Sequence, residues 1–92
     1  MSQNFVVKCM VQNFQAYFNM RFHYELNEIR LYTYETNRYQ STISLTTILD
    51  ILRLEDSFQD VRIIFRKVYH LTPMVLGFLK ADESKKFMKI LK

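Results

Sequence analysis

The chain has 92 residues, 49% of them hydrophobic, and a formal net charge of +4. This length and composition predict a single folded domain over residues 1–92 and exclude a disordered chain. The single glycine and single proline exclude a glycine-rich phosphate loop and long flexible linkers. The positive charge favours a polyanion or an acidic protein surface as the partner.

The cysteine content and the N-terminal sequence indicate the compartment. Cys9 is the only cysteine, which excludes an internal disulfide bond and a cysteine-based zinc site. It occupies an apolar position of the first predicted strand, so we expect a small buried hydrophobe. The N-terminus lacks the pattern of a signal peptide, and no segment has the roughly 18 apolar residues of a transmembrane helix. We therefore expect a cytoplasmic or otherwise intracellular protein, soluble or part of an assembly, with no transmembrane segment.

Strands are predicted throughout the first half of the chain. Residues 5–11 form a run rich in β-branched side chains and predict the first strand. Apolar and polar residues then alternate over 16–26 and again over 29–36, which is typical of a hairpin with one dry and one wet face. A fourth strand is predicted over 39–44. Asn37 in a left-handed conformation, with a bulge, would keep Ile43 on the dry face beside Thr33.

A two-residue turn at Asn27-Glu28 predicts the pairing within this hairpin. The expected pairs are Leu26–Ile29, Tyr24–Leu31 and Phe22–Thr33 on the dry face, and Glu25–Arg30, His23–Tyr32, Arg21–Tyr34 and Tyr17–Arg38 on the wet face. The wet face would then hold one opposite-charge pair, one aromatic pair and two cation–π pairs. Such pairs contribute a few tenths to about 1 kcal/mol each, so they support this register.

Helical spacing predicts helices in the second half. Ser44 is a suitable N-cap for a helix over about 45–55. Residues 61–71 fit either a helix, which we prefer because of the Ser57 and Asp60 capping pattern, or a strand, which the β-branched residues favour. Thr72-Pro73 predicts the start of a further helix, and 85–92 repeats helical spacing.

The predicted fold is therefore α+β, with an N-terminal three- to four-stranded antiparallel β-meander packed on two to four C-terminal helices. The helices would cover the dry face of the meander and leave the wet face to a partner or to solvent. The expected core residues are Phe5, Val7, Phe18, Met20, Phe22, Leu31, Leu49, Leu52, Phe65 and Leu79.

The wet face and a basic helical surface are the candidate binding surfaces. Aromatic rings on a sheet can stack on unpaired bases, and arginine can hold phosphates. The same residues also suit a protein interface or a plain structural surface. The candidate residues are Lys8, Tyr17, Arg21, His23, Arg30, Tyr32, Tyr34 and Arg38 on the sheet, and Arg62, Arg66 and Lys67 in the 61–71 segment. A second cluster consists of Lys80, Lys85, Lys86, Lys89 and Lys92, for which a solvated helix face is the favoured interpretation.

Enzymatic chemistry has little support in the sequence. His23 and Glu25 lie two residues apart on one strand face, but no further ligand spacing supports a metal, so no cofactor is predicted. Nucleotide-binding, hydrolase, metalloprotease and EF-hand motifs are absent. A metal-independent ribonuclease with His23 as the base is a distant third hypothesis.

We expect a small non-enzymatic binding protein that contacts nucleic acid, either RNA or single-stranded DNA, through the aromatic and basic sheet face and the basic helices. The alternative is a protein–protein interaction module, either a homodimerising viral or mobile-element inhibitor or a small subunit of a larger complex. In that case the aromatic row would be buried against a protein partner, either a second copy or an acidic surface.

Overall fold

Seven antiparallel strands and one C-terminal helix make up residues 4–54 and 59–91, which the computed structural model describes. The strands are β1 (Asn4–Val11), β2 (Phe14–His23), β3 (Glu28–Thr33), β4 (Tyr39–Ser44), β5 (Ile48–Arg53), β6 (Asp60–Phe65) and β7 (Met74–Phe78), and the helix is α1 (Ala81–Leu91). Their order in the sheet is β4-β3-β2-β1-β7-β6-β5. The central strand β1 therefore joins a first half, β1–β4, to a second half, β5–β7.

The sheet curls around a single core. A flat sheet of seven strands would separate its edges by six spacings of about 4.8 Å. Instead, buried side chains from both halves form one cluster, which includes Ile43 of β4 and Phe65 of β6. The inward positions alternate along each strand, as Val61 and Ile63 show on β6. Burial of one face of both halves therefore brings the two ends of the sheet close together.

Helix α1 closes one end of the curled sheet. Phe87 is fully buried, and its ring centroid lies 5.1 Å from that of Phe78, 5.5 Å from Phe22 and 6.3 Å from Phe5. These tilted and edge-on contacts join the helix to three strands. No helix in the described ranges is long and apolar enough to span a lipid bilayer.

The predicted helices of the second half are mostly strands, so the predicted fold class is wrong. Residues 45–47 form a 3-10 turn and residues 48–53 form β5, where a helix over 45–55 was expected. Residues 60–65 form β6, which confirms the strand alternative there, and Thr72-Pro73 precedes β7 instead of a helix. Helical spacing is confirmed over 85–91, although α1 begins at Ala81. Lys92 and the predicted cap Ser57 lie outside the described residues. Pairing of β7 with the central strand β1, and of β6 with β7, outweighs the local helical signals.

The four predicted N-terminal strands are confirmed, but the register of the central hairpin is wrong. Phe22 pairs with Ile29, not with Thr33. The strand β2 ends at His23, and a 3-10 turn over Tyr24–Leu26 followed by left-handed Asn27 makes the connection. The longer loop shifts the pairing by an even number of residues, so the side chains that remain on β2 and β3 keep their predicted faces. Tyr24 and Leu26, predicted on the dry face, lie in the turn and are exposed.

The loop before β4 forms as the alternation requires. Asn37 has a φ of 55°, and the β3–β4 register shifts between Leu31 and Tyr32, so the predicted left-handed residue and bulge are confirmed. Ile43 is buried, as expected, but it lies opposite Ile29 and not beside Thr33.

Most of the predicted core is confirmed. The buried members are Phe5, Val7, Phe18, Met20, Phe22, Leu31 and Phe65. Leu49, Leu52 and Leu79 are at least 42% exposed, because the helices that would have buried them are absent. Cys9 is buried as predicted, and its burial raises the pKa of the thiol to about 11.

Candidate binding face on the first four strands

The side of β1–β4 that lies away from the core carries the tyrosines, and we call it the outer face. Its members are Lys8 on β1, Tyr17, Asn19 and Arg21 on β2, Arg30 and Tyr32 on β3, Tyr34 in the following loop and Tyr39 on β4. The members on β1, β2 and β3 alternate with buried or half-buried residues, because successive side chains of a strand point to opposite faces. Tyr17, Tyr34 and Tyr39 are 52%, 55% and 59% exposed. The described part of the chain therefore leaves these rings open to a partner.

Arg21 is held in place at the centre of this face. Its guanidinium carbon lies 4.3 Å from the centroid of the Tyr32 ring, and its Nη2 donates a hydrogen bond of 2.9 Å to Asn37 Oδ1. The expected contact was with Tyr34. In the observed register Arg30 lies directly opposite Arg21, and Tyr32, opposite Asn19, reaches Arg21 from the diagonal position. Arg21 thus combines a cation–π contact with a charge-assisted hydrogen bond.

Two tyrosine pairs frame the arginine. The ring centroids of Tyr17 and Tyr34 are 6.2 Å apart, and those of Tyr32 and Tyr39 are 6.0 Å apart. Between them, the Asn19 side-chain amide donates to the backbone oxygen of Tyr34 at 3.4 Å. The ring pairs are tilted or edge-on, so parts of their flat faces remain available for stacking.

Arg30, directly opposite Arg21, and His23 lie toward the β2–β3 turn. Arg30 forms an ion pair of 3.3 Å with Glu28, where Glu25 was expected. The hydrogen bond to Glu28, with a smaller contribution from Tyr32, raises the pKa of Arg30. His23 pairs across the ladder with Glu28 and not with Tyr32, and its buried Nε2 has no hydrogen-bond partner among the described residues. In residues 4–54 and 59–91, no group of three or more potential ligands could hold a metal.

A shallow depression runs across the strands beside these rings. One hollow of about 360 Å³ is lined by Tyr17, Tyr34 and residues of the β3–β4 loop, and a second of about 180 Å³ continues past Tyr17 to Lys8 and Gly77. A Cβ atom at Gly77 would lie 3.1 Å from Asp60 Oδ1. The absence of a side chain at Gly77 therefore keeps the depression open between Lys8 and Asp60.

Comparison with known proteins gives a structural similarity. No family model matches the chain, and no curated protein matches it. A solved structure described as "PH domain from PfAPH" superimposes with a TM-score of 0.75, covering 94% of this chain and 76% of that chain at 15% sequence identity. The chain has a PH-domain-like fold. This similarity accounts for the seven strands and the single C-terminal helix, and at such low identity it shows the fold alone.

The PH-domain-like topology separates the two groups of predicted binding residues. In the sheet, β6 is separated from β2 by β1 and β7, so exposed Arg62 lies away from the tyrosines. Arg66 donates through Nε to the Thr46 oxygen at 3.3 Å, and Lys67 begins the turn after β6. Arg38 is exposed in the loop before β4, where its backbone nitrogen donates to Thr33 Oγ1. The expected pair of Tyr17 with Arg38 is replaced by the contact between the Tyr17 and Tyr34 rings.

The PH-domain-like sheet also brings in residues that the sequence pattern did not single out. Asn19, Asn37 and Tyr39 join the outer face, and Gly77 opens the depression. The sequence could have identified Tyr39, because the predicted bulge places the residues before it in β4 on the opposite face from the one that simple alternation gives. The sequence could not have identified Gly77 as part of this surface, because Thr72-Pro73 predicts a helix over its segment.

Proposed function

We propose that this chain is a non-enzymatic binding module whose outer face docks an acidic protein partner. The observation that carries the proposal is the exposure of three tyrosines, each more than half exposed, around an arginine that is already fixed in position. The similarity to a solved PH domain supports a binding role at the level of the fold, which by itself specifies no partner.

Tyrosine and arginine are the residue types that dominate the energetics of protein interfaces. Tyrosine buries a large area at a low cost in side-chain entropy, and arginine combines stacking with several hydrogen bonds. The contacts of Arg21 with Tyr32 and Asn37 remove part of the entropy cost before binding. The outer face is therefore suited to a partner that presents carboxylates beside flat or apolar groups.

Charge favours an acidic partner over a second copy of the chain. On the strands β1–β4 the outer face carries Lys8, Arg21 and Arg30 against Glu28, which Arg30 already pairs. Glu35 and Asp60 line the hollows beside these strands. A twofold contact between two such faces would oppose like charges, which costs binding energy. An acidic surface would instead reach Lys8, for which no ion pair exists within the described residues.

Nucleic acid is the second candidate partner. The exposed rings support it, because base stacking on an aromatic side chain contributes roughly 1–3 kcal/mol per base. The charges support it less, because Arg30 is paired with Glu28, and Arg62, Arg66 and Lys67 lie on other strands and turns. Few cations are thus left on the outer face to hold a phosphate backbone.

Site-specific photocrosslinking tests the proposal and separates the two partners. A benzophenone amino acid replaces Tyr34 on the outer face, or Tyr69 in the turn after β6 as the matched control, in cells that express the chain. We expect a discrete adduct at position 34 that protease digests and nuclease does not. Mass spectrometry should place acidic residues in the crosslinked peptide, and Tyr17→Ser should lower the yield about tenfold.

The opposite results are equally clear. A nuclease-sensitive adduct at position 34 whose yield falls steeply with salt would transfer the proposal to nucleic acid. Equal yields at positions 34 and 69, or no adduct at 34, would contradict a role for the outer face in binding.

A further inference from the structure

A second recess lies at the edge of β4 that faces away from β3. This groove, of about 550 Å³, runs between β4 and the connection from β6 to β7. Residues 41–44 line one wall, while His70, Leu71 and Thr72 line the other. Four consecutive strand residues can line one groove only along the strand's edge, since successive side chains alternate between faces. The remaining lining residues are Val11, Thr47, Phe65 and Met74.

The backbone of β4 has hydrogen-bonding capacity on this edge. In the sheet order, β4 has β3 on one side and no described strand on the other. Leu45 N donates to Asn27 O at 3.0 Å at the end of the β3–β4 ladder. Bonded and non-bonded pairs alternate along an antiparallel ladder. Ser41 and Ile43 therefore direct their backbone groups to β3, and Thr42 directs its N–H and C=O into the groove.

The edge lacks the features that usually prevent strand addition. Residues 39–44 contain no charged residue and no proline, which are the common means of blocking an exposed edge. The bulge of β4 lies before the stretch that lines the groove. Residues 41–44 thus offer an uncharged, regular edge to an incoming strand.

The charges around the groove indicate what can enter it. The lining consists of apolar and hydroxyl side chains with His70, and contains no aspartate, glutamate, lysine or arginine. Exposed Arg66 and Lys67 stand at the start of the β6–β7 connection, and Arg66 N donates to the oxygen of the lining residue Thr47 at 2.8 Å. The groove is therefore neutral inside and basic at its rim.

We propose that this groove binds an extended peptide with apolar residues at alternate positions and acidic residues at its ends, added as a strand to the edge of β4. The backbone of Thr42 would supply the main-chain hydrogen bonds, and alternate side chains would pack on Phe65 and Met74. The two ends of a seven-residue strand lie about 20 Å apart, so one acidic end would lie near Arg66 and Lys67, and an acid at each end allows this in either strand direction. The volume lies within the roughly 300–1,000 Å³ of known ligand pockets. The site is separate from the outer face and does not depend on the function proposed for it.

The test uses a fluorescein-labelled peptide, Asp-Val-Thr-Val-Thr-Val-Asp, titrated into the full chain and followed by fluorescence anisotropy. Thr42→Pro removes the N–H that faces the groove and leaves the bonds to β3. Leu71→Glu places an acid in the half-exposed opposite wall, and Leu26→Glu on the β2–β3 turn is its matched control. We expect saturable binding that Thr42→Pro and Leu71→Glu weaken about tenfold and Leu26→Glu leaves unchanged.

Amide exchange on the unmodified chain gives a measurement that does not depend on any substitution. The Thr42 amide should exchange fast in the free chain and about tenfold more slowly with saturating peptide, while the Ile43 amide is protected in both states. Absence of saturable binding, or binding that leaves Thr42 unprotected, overturns the proposal. It is also overturned if Leu26→Glu weakens binding as much as Leu71→Glu, or if the chain binds only phosphatidylserine–phosphatidylcholine vesicles.

Discussion

Asn37 accepts a hydrogen bond of 2.9 Å from the Arg21 guanidinium, and this contact joins the backbone strain of a loop to the arrangement of the outer face. Asn37 has a φ of 55°, a left-handed conformation that asparagine tolerates better than most residues. Its side chain can thereby reach back to β2 and fix Arg21 against the Tyr32 ring. One residue thus serves both the bulged β3–β4 connection and the candidate binding site.

Substitutions at Asn37 should separate these two roles. Asn37→Gly keeps the left-handed backbone and loses the bond to Arg21, so the free energy of unfolding should change by less than about 1 kcal/mol. Asn37→Ala loses the same bond and adds about 1–2 kcal/mol of backbone strain. Urea unfolding should rank the two variants in that order, whereas the crosslinking yield at Tyr34 should fall equally in both. Equal stability of the two variants would argue against strain at this position.

Gly77 should accept alanine without loss of stability. The added Cβ would lie 3.1 Å from Asp60 Oδ1 and 3.5 Å from Met10 Cε, both at the ends of flexible side chains that can rotate away. Replacement of a strand glycine by alanine also gains roughly 0.5–1 kcal/mol of backbone entropy. Gly77→Ala should therefore leave the urea midpoint unchanged or raise it. Gly77→Leu should fill the hollow beside Lys8 and Tyr17 and reduce crosslinking at Tyr34, and an unaffected yield would exclude this hollow from the binding surface.

The sequence was sufficient to predict the first four strands, because residues 5–11 are rich in β-branched side chains and period-2 alternation extends over 16–26 and 29–36. It was not sufficient for the register, because the turn at Asn27 lacks a glycine that would have fixed its length. The second half could not be predicted from local signals. Leu49 and Leu52 have helical spacing yet lie exposed on β5, since long-range pairing through β6 and β7 to β1 decides their conformation. Tyr17 and Tyr32 were assigned to the correct face, but their contacts depended on that register, and Tyr24, predicted on the dry face, lies exposed in the turn.

Truncation of Phe87 should cause a large loss of stability. Its ring is fully buried against Phe5, Phe22 and Phe78, and it is the main anchor of α1 on the sheet. Phe87→Ala should lower the free energy of unfolding by about 3–5 kcal/mol, measured by urea denaturation. Leu79→Ala, at a 56% exposed position just before the helix, should change it by less than about 0.5 kcal/mol. A similar effect of the two substitutions would contradict the position of the helix.

The ribonuclease hypothesis remains to be tested directly. A catalytic His23 would need to reach a ribose hydroxyl, yet its Nε2 is buried at the end of β2. We therefore expect a fluorescent RNA oligonucleotide to stay intact with the unmodified chain between pH 5 and pH 8, the range in which histidine changes charge. Cleavage that His23→Ala abolishes and His70→Ala preserves would show that the chain is an enzyme.

Alkaline pH should destabilise the fold through Cys9. Burial raises the pKa of this thiol from 9.0 to about 11, so the unfolded chain loses its proton at a lower pH than the folded chain. Between these two values the folded state binds more protons than the unfolded state, and the free energy of unfolding must fall as pH rises. Urea titrations from pH 8 to pH 11 should show this decline. Cys9→Ala should flatten the Cys9-dependent part of the decline, and a disulfide-exchange reagent at pH 8 should label the thiol of the unmodified chain only after unfolding. Rapid labelling of the folded chain would place Cys9 at an accessible position, contrary to its burial in the core.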